Sequence, residues 1–402
     1  MRVLLIFSIL LVAGKANAQD TVKVMAYNIL NYFDTSEDSA ARNPHFRTVI
    51  TATMPDILAT TEIENNSTSQ NFLNLVMKQV NPLYERAPFV SGYDTNSSLY
   101  FLSSKFSCTS NDAIETTLRD INHYTVTYLQ TGDTLHVFVV HLKSSTGTDN
   151  VAQRLSEVNV LRDVTNLLPE GAAYIVCGDF NFYKFSEDGY QRLLEVETGG
   201  TGHFIDPLTL TGTWNNEDYA PYHTQSPRVR SFGGGVTGGM DDRFDMILYS
   251  PSIATDGDIQ YLDGSTTAFG NDGQHYNDSI NSPPNLAVSM DVANALHYAA
   301  DHIPVIAKFI FVNGSPIAVQ EVKQDINSPY LIYPNPAHDR FSMTSQSSMI
   351  TAYTLYHMTG QAVLSGSFIR SAIIETADLP RGVYLVRFSN GKEIVSQRIV
   401  IE

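Results

Sequence analysis

Polar residues that can bind cations or move protons recur at one place in this chain, the ends of apolar strand-like runs. Val22, Val24, Ala26 and Asn28 alternate, so Asn28 continues a buried strand face. Val137, Val139 and His141 repeat the pattern, as do Ile175, Cys177 and Asp179, with Asn181 two residues on. Glu62 follows the apolar Ile57-Leu58-Ala59, and Asp301-His302 precedes the run Ile303–Phe311. Asn28, Glu62, Asp179, Asn181 and Asp301 are hard oxygen donors, which suit Mg²⁺, Mn²⁺ or Ca²⁺ and not structural zinc. His141 and His302 titrate near neutrality and can carry protons. A divalent ion with an acid and a base is what in-line hydrolysis of a phosphate ester requires. No G-x-S-x-G nucleophile motif competes, and Cys177 sits in a buried strand-like run where a thiol behaves as a small hydrophobe.

These residues need elements to hold them. The chain has 402 residues, 43% of them hydrophobic, enough for packed cores and more than one ordinary domain. Residues 1–18 read as a secretory leader: a basic start, an apolar run from Val3 to Ala13, and Ala16-Asn17-Ala18 before the cut. No later stretch is apolar enough to span a bilayer. Residues 19–312 hold strand runs at Val22–Tyr27, Ser98–Leu102, Val137–Val140, Tyr174–Cys177, Phe244–Tyr249 and Ile303–Phe311. Helical periodicity marks Asn71–Val80 and Val151–Leu168. This reads as one large α/β (α+β) domain. Residues 313–329 read as a turn-rich linker, and 330–402 carry seven short strand runs, a small all-β sandwich. Cys108 and Cys177 are expected as free thiols.

Charge is uneven. The chain carries −17, and loss of the leader removes Arg2 and Lys15 to leave −19. Residues 325–402 are neutral overall, so the whole excess lies before them. This is not a basic nucleic-acid cradle; a polyanion must be met by local arginines or bound cations.

In order, Tyr27-Asn28-Ile29-Leu30, Pro55-Asp56-Ile57-Leu58-Ala59-Thr60-Thr61-Glu62, Val140-His141-Leu142-Lys143-Ser144, Gly178-Asp179-Phe180-Asn181, Asp242-Arg243-Phe244-Asp245 and Asp301-His302-Ile303-Pro304-Val305 resemble the endonuclease/exonuclease/phosphatase superfamily. Thr61 departs from the glutamine usual there, while the glutamate is kept. The resemblance implies a four-layer α/β/β/α sandwich of the deoxyribonuclease-like type and the following roles. Glu62, Asn28 and Asp301 bind the metal, expected as Mg²⁺ with Mn²⁺ or Ca²⁺ as alternatives. Asp179 and Asn181 orient the attacking water and the phosphate. His302 is base or phosphate ligand, held by Asp245. His141 is general acid or transition-state stabiliser. Arg119 matches a phosphate-binding position more loosely.

The last block resembles the C-terminal sorting domain of the type IX secretion system, through Tyr333-Pro334-Asn335-Pro336-Ala337, Tyr356-His357-Met358-Thr359-Gly360 and Leu379-Pro380-Arg381-Gly382-Val383-Tyr384. It implies export across an outer membrane, with the secretion machinery as a partner and a secreted or cell-surface location. Together these features describe a secreted, metal-dependent phosphodiesterase, a nuclease acting on extracellular nucleic acid, expected as a monomer. Two alternatives stand beside it. One is a phosphomonoesterase or phospholipid phosphodiesterase of the same superfamily, for which Phe182-Tyr183-Lys184-Phe185 is the candidate apolar tip. The other is a catalytically silent surface-binding module. The glycine-rich run Ser231–Gly239 lacks Gly-Lys-Ser/Thr and reads as a loop, with Arg228 and Arg230 placed to touch a phosphate. Residues 270–299 read as a substrate-side wall or a surface insertion.

Overall fold

A computed structural model describes residues 19–312, apart from 34–36, 199, 232, 255 and 256, and residues 329–401, apart from 346–349, 358–361, 378 and 391–393. The leader, residues 313–328 of the expected linker, and Met358-Thr359-Gly360 lie outside the described residues. The chain divides into two compact units between Ser315 and Pro316.

The first unit begins with β1 (Gln19–Tyr32), α1 (Glu37–Thr53) and β2 (Ile57–Ile63). Next come α2 (Asn66–Phe72), a π turn (Leu73–Met77), α3 (Lys78–Val80), β3 (Tyr84–Arg86) and β4 (Asn96–Leu102). A second group holds β5 (Phe106–Ile114), β6 (Ile121–Tyr128), β7 (Thr134–His141), α4 (Thr148–Thr165), β8 (Ala173–Asp179), α5 (Asp188–Leu194) and β9 (Asp245–Tyr249). The chain then returns through β10 (Ile259–Tyr261), β11 (Thr267–Ala268), α6 (Met290–Ala299) and β12 (Val305–Val312). One sheet runs β10-β12-β1-β2-β4-β3 with β11 on β12, and the other runs β5-β6-β7-β8-β9.

Three apolar clusters show why four layers form. Val22, Val24 and Ala26 from β1, Val137 and Val139 from β7, and Ile175 and Cys177 from β8 meet between the sheets. The alternate residues of the first sheet, Met25, Tyr27 and Leu58, pack against Phe46, Val49 and Ile50 of α1 and Leu296 of α6. Those of the second, Phe138, Val140 and Val176, pack against Val158 and Leu161 of α4 and Tyr190 of α5. Strands apolar on both faces must be covered on both, and these are. The parallel pairs β1–β2 and β7–β8 are each joined across a helix, α1 and α4.

Periodicity placed α4 at Val151–Leu168; it spans Thr148–Thr165. The helix expected over Asn71–Val80 starts earlier, because Asn65 caps it and its side chain accepts from Thr68 N at 3.0 Å. Cys108 and Cys177 are both free thiols.

The second unit is a β-sandwich: β13 (Tyr330–Tyr333), β14 (Arg340–Ser345) and β17 (Ser371–Glu375) face β15 (Thr351–His357), β16 (Ala362–Phe368), β18 (Gly382–Ser389) and β19 (Ile394–Ile401). Tyr384, Val386 and Phe388 of β18 alternate inward onto Tyr330, Phe341 and Met343.

One motif residue is structural. The Arg243 guanidinium is buried, pairs with buried Asp206 at 2.9 Å and lies 5.0 Å over Trp214. Tyr190 Oη also donates to Asp206, at 2.6 Å. Asp206→Ala strands this cation and is expected to cost about 3–5 kcal/mol, read as a lower urea midpoint at unchanged slope.

Candidate active site

The inter-sheet core ends where the chemistry begins. Asn28 follows Ala26 on the inner face of β1, His141 follows Val139 on β7, and Asp179 follows Cys177 on β8. Asp245 opens β9 opposite Asp179. Glu62 arrives by another route. The ladders on both sides of β2 slip at this point, and Glu62 has φ +62°. The bulge turns the carboxylate inward where plain alternation would have presented Thr61. Gly178 makes the approach of β7 and β8 possible: a Cβ there would lie 2.1 Å from Val140 O, and its φ is +129°.

The side chains converge on a cleft of about 430 Å³ lined by Glu62, Arg119, His141, Asp179, Asn181, Asp301 and His302, among others. Asn28 Nδ2 donates to Glu62 Oε1 at 2.9 Å and to Asp179 Oδ2 at 3.1 Å. Asn31 N donates to Glu62 Oε2 at 2.9 Å. His141 Nε2 lies 3.6 Å from Asp179 Oδ2 and 3.8 Å from Glu62 Oε1. His302 Nδ1 meets Asp245 Oδ2 at 2.6 Å, and its Nε2 lies 3.7 Å from Asp179 Oδ2. Asn181 N donates to Asp179 Oδ1 at 3.1 Å and its Nδ2 to Leu142 O at 3.2 Å. Arg119 is held by Asp94, Nε to Oδ2 at 3.0 Å. Eight non-glycine residues have positive φ among the described residues, and five of them, Leu30, Asn31, Glu62, Ser145 and Asn181, line this cleft. Backbone strain of this kind persists where surrounding structure enforces it.

Burial works against the imidazolium of His302, but Asp245 and Asp179 outweigh it and hold its pKa well above the usual histidine range. Burial pushes Asp179 upward, so the two compete for one proton. Burial, then Arg119 and His302, hold His141 well below the usual range and therefore neutral. Glu62 is raised by burial and by the charge of Asp301.

All the residues expected from sequence gather here. The Asn28 carbonyl oxygen accepts from Leu30 N at 3.0 Å, and its amide bonds Glu62 and Asp179. Among the described residues no three His, Cys, Asp or Glu side chains form a closed cation cage. The donors nonetheless fit an open site. Glu62 and Asp301 bring hard oxygens, and Asp301 Oδ1 is buried with no hydrogen-bond partner while Oδ2 accepts from Val236 N at 2.6 Å. Mg²⁺ needs only one or two carboxylates and takes its other ligands from water and phosphate. Thr61, at the departing motif position, leaves its hydroxyl buried and unpartnered.

Sequence reasoning missed three contributors. Gln225 Nε2 lies 2.6 Å from His302 Nε2, at the cleft wall. Gly235 has no room for a Cβ, which would meet Asp301 Oδ2 at 2.7 Å and Arg228 Nη2 at 2.8 Å. Arg154 of α4, fully buried, holds the loop after β7 through Lys143 O at 2.7 Å and Ser145 O at 2.9 Å. Gly235 lies in the glycine-rich run read as a loop, while Gln225 and Arg154 carry no local signal; each depends on a contact distant in sequence. Arg228 is buried and not a surface phosphate contact. Residues 270–299 do not line the cleft: His275 is buried there on Asp272 at 2.8 Å, and Asn285 bonds Gly270 O. Of the candidate apolar tip, Phe182 is core and Tyr183 lines the cleft against Phe244.

Two packed sheets between helical layers, with carboxylates and imidazoles gathered at one end of their shared core, define a hydrolase fold built for phosphate esters. Residues 25–265 match the Endonuclease/Exonuclease/phosphatase family, and the chain belongs to that family. Residues 331–402 match the secretion system C-terminal sorting domain. Similar solved structures include truncated TDP2 of Caenorhabditis elegans (17% identity, 72% of this chain, 97% of that one, TM-score 0.47). The human Nocturnin catalytic domain with bound sulfate is another (18%, 72% and 97%, TM-score 0.45). A third is a family protein from Bacteroides thetaiotaomicron (16%, 74% and 97%, TM-score 0.44). A search of curated proteins returns no match.

Gly178→Ala places a methyl group against the β7 backbone beside His141 and Asp179. It is expected to cost about 3 kcal/mol, the upper end for overpacking, and to lower the urea midpoint.

Proposed function

We propose that this chain is an exported, divalent-metal-dependent phosphodiesterase that cleaves extracellular nucleic acid. The observation that carries the reading is the buried Asn28 amide joining Glu62 to Asp179, beside the Asp245–His302 pair, in and behind the cleft wall. Glu62, Asn28 and Asp301 would hold the ion, with Mg²⁺ preferred and Mn²⁺ or Ca²⁺ able to replace it. When bound, the ion polarises a phosphoryl oxygen and offsets its charge. Asp179 and His302, sharing one proton, take another from the attacking water as a unit, while Asp245 fixes the imidazole through Nδ1. Asn181 orients water and phosphate. His141, kept neutral, donates its N–H to a phosphate oxygen, which favours transition-state stabilisation over general-acid work. Arg119 supplies a fixed positive charge to a phosphate in a chain that is otherwise acidic.

The leader and the sorting domain support export, and a secreted or surface-attached enzyme meets nucleic acid outside the cell. The secretion machinery would be the partner of residues 330–402, and residues 313–329 the linker to the enzyme. No helix of the described residues is long and apolar enough to cross a membrane. The reading also takes the enzyme as a monomer.

The test uses the chain without its leader on duplex DNA, single-stranded RNA, bis(4-nitrophenyl) phosphate and 4-nitrophenyl phosphate, with Mg²⁺, Mn²⁺, Ca²⁺ or EDTA. Cleavage of nucleic acid with metal and none with EDTA is expected. His302→Ala is expected to lower kcat/KM by about 10²–10⁴-fold, and Asp301→Asn to raise the metal concentration needed for half-activity. Turnover of the monoester alone would move the enzyme to the phosphatase branch. Inactivity on all four, and on phospholipids, would leave the binding-module reading.

A further inference from the structure

A second cluster of nitrogen donors lies outside the cleft. His123 of β6 and His136 of β7 stand on the outer face of the second sheet, the face that carries Phe138. His123 Nε2 and His136 Nδ1 are 2.9 Å apart, with ring centroids at 5.1 Å. The His123 ring stacks on Phe138 at 4.3 Å and 15°, which fixes its plane. Both rings are half-buried, so each is held and still open to solvent. Neither lines the cleft, and His136 lies five residues before His141, about 16 Å along an extended strand.

His136 also lines a separate recess of about 370 Å³ together with Asp133, Glu170 and Asp258. No Lys or Arg is among the residues that line it. Asp112 stands opposite His123 in the β5–β6 ladder and is exposed. His136, paired with His123, thus borders an acidic hollow that concentrates cations.

We propose that His123 and His136 form a binding site for a borderline transition-metal dication of the Zn²⁺ and Cu²⁺ class, distinct from the cleft. Two imidazole nitrogens on one tetrahedral ion, each at about 2.0–2.1 Å, lie roughly 3.3 Å apart. The pair needs to open by only a few tenths of an ångström, with each ring turning toward a common point. Imidazole selects such ions over Mg²⁺ and Ca²⁺, which the hard oxygens of the cleft favour. Burial lowers both imidazoles, His123 to about 4, so both are neutral near pH 7 and bind without first losing a proton. Water completes the shell.

The experiment titrates the tag-free chain, leader removed, with Cu²⁺ and reads electron paramagnetic resonance, with Zn²⁺ as competitor. One equivalent is expected to show coupling to two imidazole nitrogens and to be displaced by a large excess of Zn²⁺ but not by the same excess of Mg²⁺. His123→Gln and His136→Gln keep a hydrogen-bonding side chain in place. Each is expected to weaken binding at least about tenfold, the least that loss of even a supporting partner costs a metal site. Asp301→Asn, in the cleft, is expected to leave the signal intact. Zn²⁺ is also expected to raise the melting temperature of the parent chain and not of the Gln variants. Absence of nitrogen coupling at one equivalent, or undiminished binding in both Gln variants, would overturn the site and leave the pair as a structural hydrogen bond.

Discussion

One buried amide bonds carboxylates of both sheets where charge is most crowded. Asn28 rises from the first sheet and Asp179 from the second, and the Asn28 NH₂ group bonds both Asp179 and Glu62. Glu62, Asp179, Asp245 and Asp301 would repel one another at close quarters in a poorly hydrated space. Each has a specific donor: Asn28 for the first two, His302 for Asp245, and Val236 N for Asp301. The acidic cluster is tolerable because these donors are fixed by the strands and loops that carry them. The same donors leave one oxygen of Asp301 without a hydrogen-bond partner.

The parts of the site that follow strand alternation were legible in sequence. Asn28, His141 and Asp179 each continue an apolar inner face, and the structure keeps them on it. Glu62 was not legible that way. On β2 the alternate residues are Ile57, Ala59 and Thr61, and only a bulge at φ +62° brings the glutamate inward. Its place just after the apolar run Ile57-Leu58-Ala59, and the resemblance, pointed to it instead. Gln225 and Arg154 carry no local signal for their contacts, and the glycine-rich run around Gly235 reads only as a loop, since their neighbours lie far along the chain. Helices α1 and α6 were passed over for a related reason. Pro44 interrupts the reading of α1, and α6 follows a long polar stretch. All seven strand runs of the C-terminal block could be read, because short turns separate alternating apolar residues there.

The bulge and the strained residues beside it have a shared physical cause. Polar groups at the end of a core must leave the ladder, and each departure costs regular backbone geometry. Leu30, Asn31 and Glu62 do so on the first sheet, Ser145 and Asn181 on the second. Arg154 and Glu187, an ion pair buried at 2.5 Å, brace the second set from the helical layer. Rigid packing outside the cleft thus maintains irregular backbone inside it.

The placement of the two cysteines has a consequence for oxidation. Cys177 lies in the inter-sheet core, and burial pushes its thiol up to about 12; Cys108 on β5 is raised to about 11 for the same reason. Disulfide exchange and oxidation proceed through the thiolate. Once folded, the enzyme therefore offers almost no reactive sulfur at neutral pH. An exported chain of this kind needs no partner thiol to stay correctly wired; its redox chemistry is silenced by the depth of its sulfur atoms, and the time of exposure is the interval before the sheets close.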